Sequence, residues 1–317
     1  MSASDLAARV GYHHATHPAV SSCADGQERN SNSLDAGSTI TYGCLVLLET
    51  MRPLSISQGR IWENVLDFRL LDLIAELIVA CEPPPKRGPG HPRSEIVRVV
   101  ATLRRFLREG LPWRSLRATV EQVSGATLRR FLAYWAENAV LAKVHALLVA
   151  MLRGNPTLIL DSCSVRAKRG GDLVGPNPTD RAKMGSKYHI ATDGDGTPVA
   201  CLATAANVPD TLVFERLFLA AFAVMARIRN AYADKGYDAE RHRRLCRACK
   251  VKPFIHKRGW PHGSGPGRYR WPVERTLSWL LENKRLGLRY DRCGFIIQSL
   301  LQAGCIFLVA PRLAREL

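Results

Sequence analysis

Residues 157–162 read Thr-Leu-Ile-Leu-Asp-Ser, a short apolar run that stops at a carboxylate. Apolar and β-branched residues bounded by polar ones predict a strand over 157–160 that ends at Asp161. Residues 230–234, Asn-Ala-Tyr-Ala-Asp, have the same form and predict a second strand that ends at Asp234. Because adjacent strand ends in an α/β sheet meet at one crevice, we expect Asp161 and Asp234 to lie close together.

The segments around these two strands alternate between strand and helix patterns. Further strands are predicted at 187–192, 198–205 and 251–255, and helices at 212–228, after Tyr237, and from Pro272 onward. The order of three strands, helix, strand, helix, strand, helix predicts an α/β domain, which we assign to residues 154–317. Glu274 then falls in the first turn of the last helix, where a carboxylate also has a structural explanation as a partner of the helix dipole.

The region upstream of this domain has a helical pattern. Helices are predicted over 61–80, from Ser94 as N-cap to Gly110, after Trp113, and from the turn at 124–125 to about residue 152. We interpret residues 51–153 as an all-α DNA-binding domain, with Arg129 and Arg130 near the start of its last helix. A helix-turn-helix and a plain helical bundle both fit this pattern, and the bundle is favoured.

The first fifty residues differ in composition from the rest. They carry two arginines against five acidic residues, are rich in Ser, Ala, Gly and His, and show no sustained apolar periodicity. We therefore expect residues 1–50 to be disordered, or to be a spurious extension upstream of a natural start at Met51.

The charge balance restricts the class of partner. The 317 residues include 45 Lys and Arg against 28 Asp and Glu, a formal net charge of +17. This excess disfavours an acidic-surface metabolic enzyme and indicates a polyanion, nucleic acid first and an anionic membrane second. The membrane is the weaker alternative, because the apolar stretch 295–310 contains polar residues and is shorter than the roughly 20 residues of a span. We interpret this stretch as a buried C-terminal helix. Nine cysteines without a recognisable secretory signal are expected to be reduced thiols in a cytoplasmic protein.

Asp161, Asp234 and Glu274 are the candidate catalytic residues. Each alone has a structural explanation, but together in so basic a chain they favour chemistry on DNA. Cleavage of a phosphodiester needs an activated nucleophile and a stabilised leaving oxygen, and two Mg²⁺ ions about 4 Å apart supply both when carboxylates hold them. Mn²⁺ is expected to substitute for Mg²⁺. Cations that neutralise DNA phosphates are expected at Arg166, Lys168, Arg169, Lys187, Arg270, Arg275 and Lys284, together with Arg129 and Arg130.

Seven stretches carry a family resemblance in order along the chain. They are Leu-Pro-Trp-Arg (111–114), Leu-Asp-Ser-Cys-Ser-Val (160–165), Gly-Ser-Lys-Tyr-His-Ile-Ala-Thr-Asp (185–193), Asn-Val-Pro-Asp-Thr (207–211), Ala-Asp-Lys-Gly-Tyr-Asp (233–238), Arg-Trp-Pro-Val-Glu-Arg-Thr (270–276) and Arg-Leu-Gly-Leu-Arg-Tyr-Asp-Arg (285–292). With these stretches the chain resembles the DDE transposases of bacterial insertion sequences, and in particular the insertion-sequence-five group.

The resemblance implies a ribonuclease-H-like catalytic core, a mixed sheet flanked by helices, with Asp161, Asp234 and Glu274 as the DDE triad and metal ligands. It matches Arg270 to the arginine four residues before the acid in the family's Tyr/Arg/Glu/Lys signature. The implied function is binding of element ends, followed by metal-dependent DNA strand cleavage and strand transfer. The implied partners are the terminal inverted repeats, target DNA and further copies of the same chain, in a cytoplasmic, nucleoid-associated protein without a membrane partner.

Two alternatives stay open at the level of sequence. A nuclease of ribonuclease-H type would use the same triad to hydrolyse DNA without joining it, because water and a DNA 3′-hydroxyl are equivalent nucleophiles for a metal pair. A non-catalytic DNA-binding protein derived from a transposase is the second alternative. The basic helical region favours the transposase over the nuclease, and the intact acids argue against the non-catalytic protein.

Overall fold

A six-stranded mixed sheet lies at the centre of the chain. The computed structural model describes residues 61–84, 92–257 and 267–316, which belong to one compact unit. The segment predicted to be disordered or spurious, residues 1–50, lies outside the described residues.

The strands occur in the predicted order, with one short addition. They are β1 (Thr157–Arg166), β2 (Gly175–Pro176), β3 (Met184–Asp193), β4 (Pro198–Ala205), β5 (Asn230–Ala233) and β6 (Lys252–Ile255). β5 pairs in parallel with both β1 and β6, whereas β3 is antiparallel to β1 and β4 is antiparallel to β3. The two residues of β2, which sequence analysis did not predict, extend the sheet beside the start of β3. The expectation of a mixed sheet is confirmed.

β1 is longer than the four residues predicted for it. Its parallel pairing with β5 stops at Leu160 opposite Ala233, but its antiparallel pairing with β3 continues from Asp161 to Arg166. Asp161 is therefore not the end of a strand, as the sequence suggested, but the point at which β1 loses one of its two neighbours. The crevice opens there because β5 ends, one residue before Asp234.

Helices flank the sheet. Those in the described residues are α1 (Ile61–Cys81), α2 (Ile96–Glu109), α3 (Gly125–Glu137), α4 (Val140–Ala150), α5 (Asp210–Val224), α6 (Glu240–Ala248), α7 (Gly267–Glu282), α8 (Lys284–Gly287) and α9 (Gly294–Glu316). Asp161 contacts α7 through Arg270, and the next residue, Ser162, contacts α5 through Asp210. Because successive strand residues point to opposite faces, α5 and α7 cover opposite faces of the sheet.

Two predictions in the helical region are wrong in detail. The single helix predicted from residue 125 to about 152 is broken between α3 and α4, because Ala139 takes a left-handed conformation with φ of 52°. Ser94 does not cap α2, which begins one residue after Glu95 and has no side-chain cap. Ser124 does cap α3, since its hydroxyl accepts a hydrogen bond from the backbone N–H of Thr127.

α7 begins earlier than predicted, and this changes the position of Glu274. The helix starts at Gly267 and contains Pro272, so Glu274 lies in its middle rather than in its first turn. A proline there removes one backbone hydrogen bond. The helix continues through it because Val273, Leu277 and Leu280 are buried on its inner side, and this burial stabilises the longer helix.

α9 joins the upstream helices to the sheet, because it packs against α3, α4 and β4. Its 23 residues exceed the length predicted from the apolar stretch 295–310. By length and composition alone residues 294–315 could span a membrane, but 61% of an apolar 18-residue window within this helix is buried inside the protein. Gln298 lies in this interface and accepts a hydrogen bond from the backbone N–H of Ala203 on β4. α9 is thus a core helix of this fold, as the sequence predicts.

Two distant stretches of sequence meet around the buried ion pair of Arg285 and Asp291. Arg285 on α8 donates to both carboxylate oxygens of Asp291, at 2.9 and 2.8 Å, and both side chains are 5% exposed. The indole N–H of Trp113 donates to the same carboxylate at 2.7 Å, and Arg285 also donates to the backbone carbonyl of Leu111. The segments 111–114 and 285–292, which carry the family resemblance, therefore form one structural joint.

Candidate active site

The three candidate catalytic acids converge on one side chain, Arg270. Its Nη2 lies 2.7 Å from Asp161 Oδ2 and 3.9 Å from Glu274 Oε1, and its Nη1 lies 3.3 Å from Asp234 Oδ1. The acids are separated by 73 and 40 residues in the sequence, yet all of them lie within ion-pair range of a single guanidinium. The structure thus brings together the residues that the sequence singled out.

Each acid is positioned by a different element. Asp161 extends from β1, and its Oδ1 accepts a hydrogen bond from the backbone N–H of Ser162 at 2.8 Å. Asp234 follows β5 and caps the 3₁₀ turn that comes next, since its Oδ1 accepts from the N–H of Lys235 at 2.7 Å. Glu274 lies one helical turn after Arg270 on α7, so both side chains project from the same side of that helix.

Exposure decreases from Glu274 to Asp161. The side chains of Glu274, Asp234 and Asp161 are 58%, 37% and 14% exposed. Burial raises the pKa of Asp161 above its ordinary value, although the charge and hydrogen bond of Arg270 oppose this shift. Burial lowers the pKa of Arg270, but the three carboxylates, Asp161 first, outweigh it and hold that pKa above its ordinary value. Arg270 therefore stays cationic in the middle of the acids.

Three carboxylates face one position, which the Arg270 guanidinium occupies. Carboxylate oxygens are the ligands that a hard divalent cation prefers. In the described residues no three His, Cys, Asp or Glu side chains are arranged as a ready set of metal ligands. The Arg270 guanidinium lies among the carboxylates and separates them.

Asp210, which the sequence did not single out by itself, contacts residues next to the candidate acids. Its Oδ1 accepts hydrogen bonds from Ser162 Oγ at 3.2 Å and from Lys187 Nζ at 3.1 Å. A Cβ on Gly236 would come within 2.7 Å of its other oxygen, so a larger residue at position 236 would require the Asp210 carboxylate to shift. Asp210 thus contacts neighbours of both Asp161 and Asp234. The sequence held one signal for it, the resembling stretch 207–211.

His189 lies beside this cluster. Its ring is buried, contacts Thr204 Oγ1 at 2.9 Å and has Nδ1 3.6 Å from Asp210 Oδ1. Burial lowers the pKa of His189 to about 4, although the Asp210 carboxylate opposes the shift. The ring is therefore neutral near pH 7 and packs against the sheet.

The predicted DNA-contact cations lie in several places. Lys187 is turned inward to Asp210 and is 15% exposed, and Arg166 pairs with Asp180. Lys168 and Arg169 are exposed, and Arg169 lies over the ring of Tyr290. Arg129 and Arg130 are exposed on α3, where they donate to Cys293 Sγ and Thr127 Oγ1. Arg275 and Lys284 line a separate basic cleft beside α7, away from Arg270 and the acids. The structure therefore does not gather these residues into one surface.

Comparison with known proteins identifies the class. Residues 153–260 match the family described as "Transposase DDE domain". The chain is 42% identical over 172 residues to a Burkholderia cepacia protein named "Putative transposase for insertion sequence element IS402", in an alignment that covers 52% of this chain and 80% of that protein. It is 32% identical over 120 residues to "Insertion element IS402 uncharacterized 16.2 kDa protein" of the same organism, covering 36% of this chain and 81% of that one.

A solved structure, "Cryo-EM structure of piggyBac transposase synaptic complex with hairpin DNA (SNHP)", superposes on 89% of this chain and 71% of its own. The TM-score is 0.39 and the sequence identity is 9%.

A DDE transposase domain built on a mixed α/β sheet defines an enzyme that cleaves DNA and transfers strands. The chain belongs to the DDE transposases of insertion sequences, which confirms the resemblance at family level. This family depends on divalent metal ions. Membership of the insertion-sequence-five group stays a prediction.

Proposed function

We propose that this transposase binds the ends of its insertion element and cuts and joins DNA at Asp161, Asp234 and Glu274. The observation that carries the proposal is the convergence of these three acids on Arg270. The proposed metal is Mg²⁺, with two ions in the site and Mn²⁺ as a substitute. The proposed DNA partners are the terminal inverted repeats and the target DNA.

The acids act as metal ligands in this proposal. When bound, two Mg²⁺ ions activate the attacking hydroxyl and stabilise the leaving oxygen. The backbone N–H groups of Ser162 and Lys235 donate hydrogen bonds to the carboxylates of Asp161 and Asp234 and hold them in a fixed orientation. Glu274 is more exposed and completes the site from α7.

Arg270 has two positions in the proposed mechanism. Its guanidinium must leave the carboxylates before they hold metal, because cations would otherwise share one site. Its Nε is buried and has no hydrogen-bond partner within the described part of the chain. Once displaced, the guanidinium can hold a DNA phosphate next to the reacting bond in a bidentate contact.

The remaining parts of the proposal concern assembly and location. Residues 51–153 are proposed to contribute DNA binding, with Arg129 and Arg130 exposed on α3. The boundary at residue 153 stays a prediction, and α9 packs against elements on both sides of it. We propose a homo-oligomer on DNA, since joining two element ends to one target needs two active sites. The proposed location is the cytoplasm, in association with the nucleoid.

Incubation with labelled duplexes that carry the element ends tests the activity. With Mg²⁺ we expect a nick at the element end and a joined product with target DNA, and EDTA should abolish both. Cleavage without any joined product would instead favour the nuclease of ribonuclease-H type. Binding without cleavage in Mg²⁺ and Mn²⁺ would favour the non-catalytic DNA-binding protein.

Asp210→Ala should reduce strand cleavage by about 10- to 100-fold, the usual effect of removing a partner that orients metal ligands. The substitution removes the acceptor of Ser162 Oγ and, among the described residues, leaves Lys187 Nζ with only the backbone carbonyl of Val208. Asp210→Asn should lose less, because it keeps one oxygen and the volume of the side chain.

Rates of nicking and dissociation constants for element-end DNA, measured for both variants, check this expectation. The dissociation constants should stay near the wild-type value, since phosphate contacts dominate affinity. Wild-type cleavage by Asp210→Ala would contradict a positioning role for Asp210.

A further inference from the structure

A second basic site lies along α7, apart from Arg270 and the three acids. A cleft of about 1110 Å³ is lined by seven Lys or Arg side chains against four acidic ones. The cations come from α2, the segment after α4, α7, α8 and α9, so tertiary structure alone brings them together. This volume exceeds the roughly 300–1,000 Å³ of ordinary small-molecule pockets, and the excess of positive charge suits a polyanion.

Backbone carbonyls, rather than carboxylates, hold several of these cations in place. Arg275 Nη2 donates to the carbonyl of Asp195 at 2.7 Å, and Arg312 donates to the carbonyls of Asp195 and Gly196 at 3.1 Å. Arg315 donates to the carbonyl of Pro311. A neutral carbonyl fixes a guanidinium without cancelling its charge, so these arginines keep their positive charge while their positions are set.

Two of the four acids of the cleft, Asp193 and Glu109, have partners in the surrounding fold. Asp193 accepts hydrogen bonds from the backbone N–H groups of Asp195 and Thr197 at 3.0 and 2.7 Å. Glu109 pairs with Arg105, which does not line the cleft. Asp193 and Asp195 offset part of the charge of Arg312, but with seven cations against four acids the lining keeps an excess of positive charge.

Aromatic side chains make one wall rigid. The guanidinium of Arg275 lies between the rings of Trp271 and Trp279, 4.4 and 4.6 Å from their centres. Such stacking fixes the cation before any ligand arrives. Burial is the main cause that lowers the pKa of Arg312; the Asp193 carboxylate opposes this shift, and the neighbouring Arg275 and Arg315 add to it. Crowding of like charges is relieved when an anion binds.

The position of the cleft relative to the triad suggests which anion it takes. Arg275 directly follows Glu274 on α7, so the cleft begins at the residue after a triad acid. We propose that this cleft binds the phosphate backbone of the duplex on which the triad acts, beyond the cleaved bond. The identity of that duplex rests on the proposed function, whereas phosphate binding in the cleft does not.

The test replaces three exposed cations of the cleft, Arg108, Lys284 and Arg315, by alanine in the full chain. Dissociation constants for element-end duplex are measured over a range of salt concentrations. The slope of log K against log salt should fall in magnitude by about 2.7, since each phosphate contact contributes about 0.9. At 0.15 M salt this corresponds to a loss of affinity on the order of 100-fold.

The matched control replaces Arg216, Arg227 and Arg244, which are exposed on or near α5 and α6 and do not line the cleft. It removes the same net charge, so it reports the general electrostatic effect alone. Equal salt slopes for the two triple variants would overturn the proposal. Unchanged thermal unfolding of both variants excludes misfolding as the cause of a difference.

Hydroxyl-radical footprinting of the complexes locates the contact. The cleft variant should lose protection on the backbone next to the cleavage position, and loss at a distant position would overturn the placement. Neither readout needs catalysis. The wild-type protein could fail to cut DNA while the cleft variant still shows a smaller slope of log K against log salt. In that case the proposed activity is wrong and phosphate binding in the cleft is supported.

Discussion

Asp161→Asn is expected to abolish strand cleavage, with a loss greater than about 100-fold, while binding of element-end DNA stays close to wild type. Removal of groups that only orient metal ligands already costs 10- to 100-fold, and this change removes a proposed ligand itself. The amide keeps the shape of the side chain but loses the anion that faces Arg270 at 2.7 Å. Affinity is preserved because it depends mainly on Lys and Arg contacts to phosphate.

Nicking assays and gel shifts on the same duplex measure the two effects separately. Calorimetric titration of Mn²⁺ into the DNA complex adds a readout that does not need turnover: two ions per site are expected for wild type, and fewer for Asp161→Asn. Glu215→Gln is the charge-matched control, since Glu215 is exposed on α5, and it should cleave normally. Parallel loss of binding and cleavage in Asp161→Asn would show that Asp161 has a structural role.

The second large effect is expected on stability. Asp291→Ala should lower the free energy of unfolding by about 3–5 kcal/mol, because it leaves the buried Arg285 cation without its anion. The indole N–H of Trp113 loses its acceptor in the same step. The Arg285 guanidinium also lies over the rings of Phe106 and Trp113, 4.4 and 5.7 Å from their centres, so it cannot turn to solvent without disturbing that packing.

Urea unfolding followed by tryptophan fluorescence measures this loss. Asp180→Ala is the control, because it removes an ion pair with Arg166 whose side chains are 54% and 34% exposed. An exposed pair is screened by water and contributes little, so this variant should unfold near the wild-type midpoint. Similar midpoints for Asp291→Ala and wild type would show that the buried pair does not stabilise the joint.

The sequence predicted the local elements well where hydrophobic periodicity was strong. Local patterns of apolar and polar residues predicted the strands at 198–205 and 230–233. The same kind of pattern predicted the order of strands and helices in residues 154–317. The proximity of Asp161 and Asp234 also followed from sequence, because parallel strands place their ends at one edge of a sheet.

The bounds of β1 and α7 did not follow from sequence. Residues 161–166 look polar and loop-like alone, and they extend β1 because β3 offers them a partner from Arg166 opposite Gly185 to Asp161 opposite Ile190. A proline is usually found at the start of a helix, and Pro272 therefore predicts the start of α7. It lies inside α7 because burial of the apolar side of that helix against β1 and β3 favours the longer element.

By itself the sequence thus determined the class of fold, the family and the three acids, since each depends on local pattern or on motifs read in order. Only the tertiary structure decided that Arg270 lies among those acids, that Asp210 supports them, and that Arg275, Lys284 and Arg312 share a cleft. The physical reason is distance along the chain. Charges tens to hundreds of residues apart interact only after folding fixes the chain, and their attraction or crowding depends on separations of a few ångströms that no local pattern encodes.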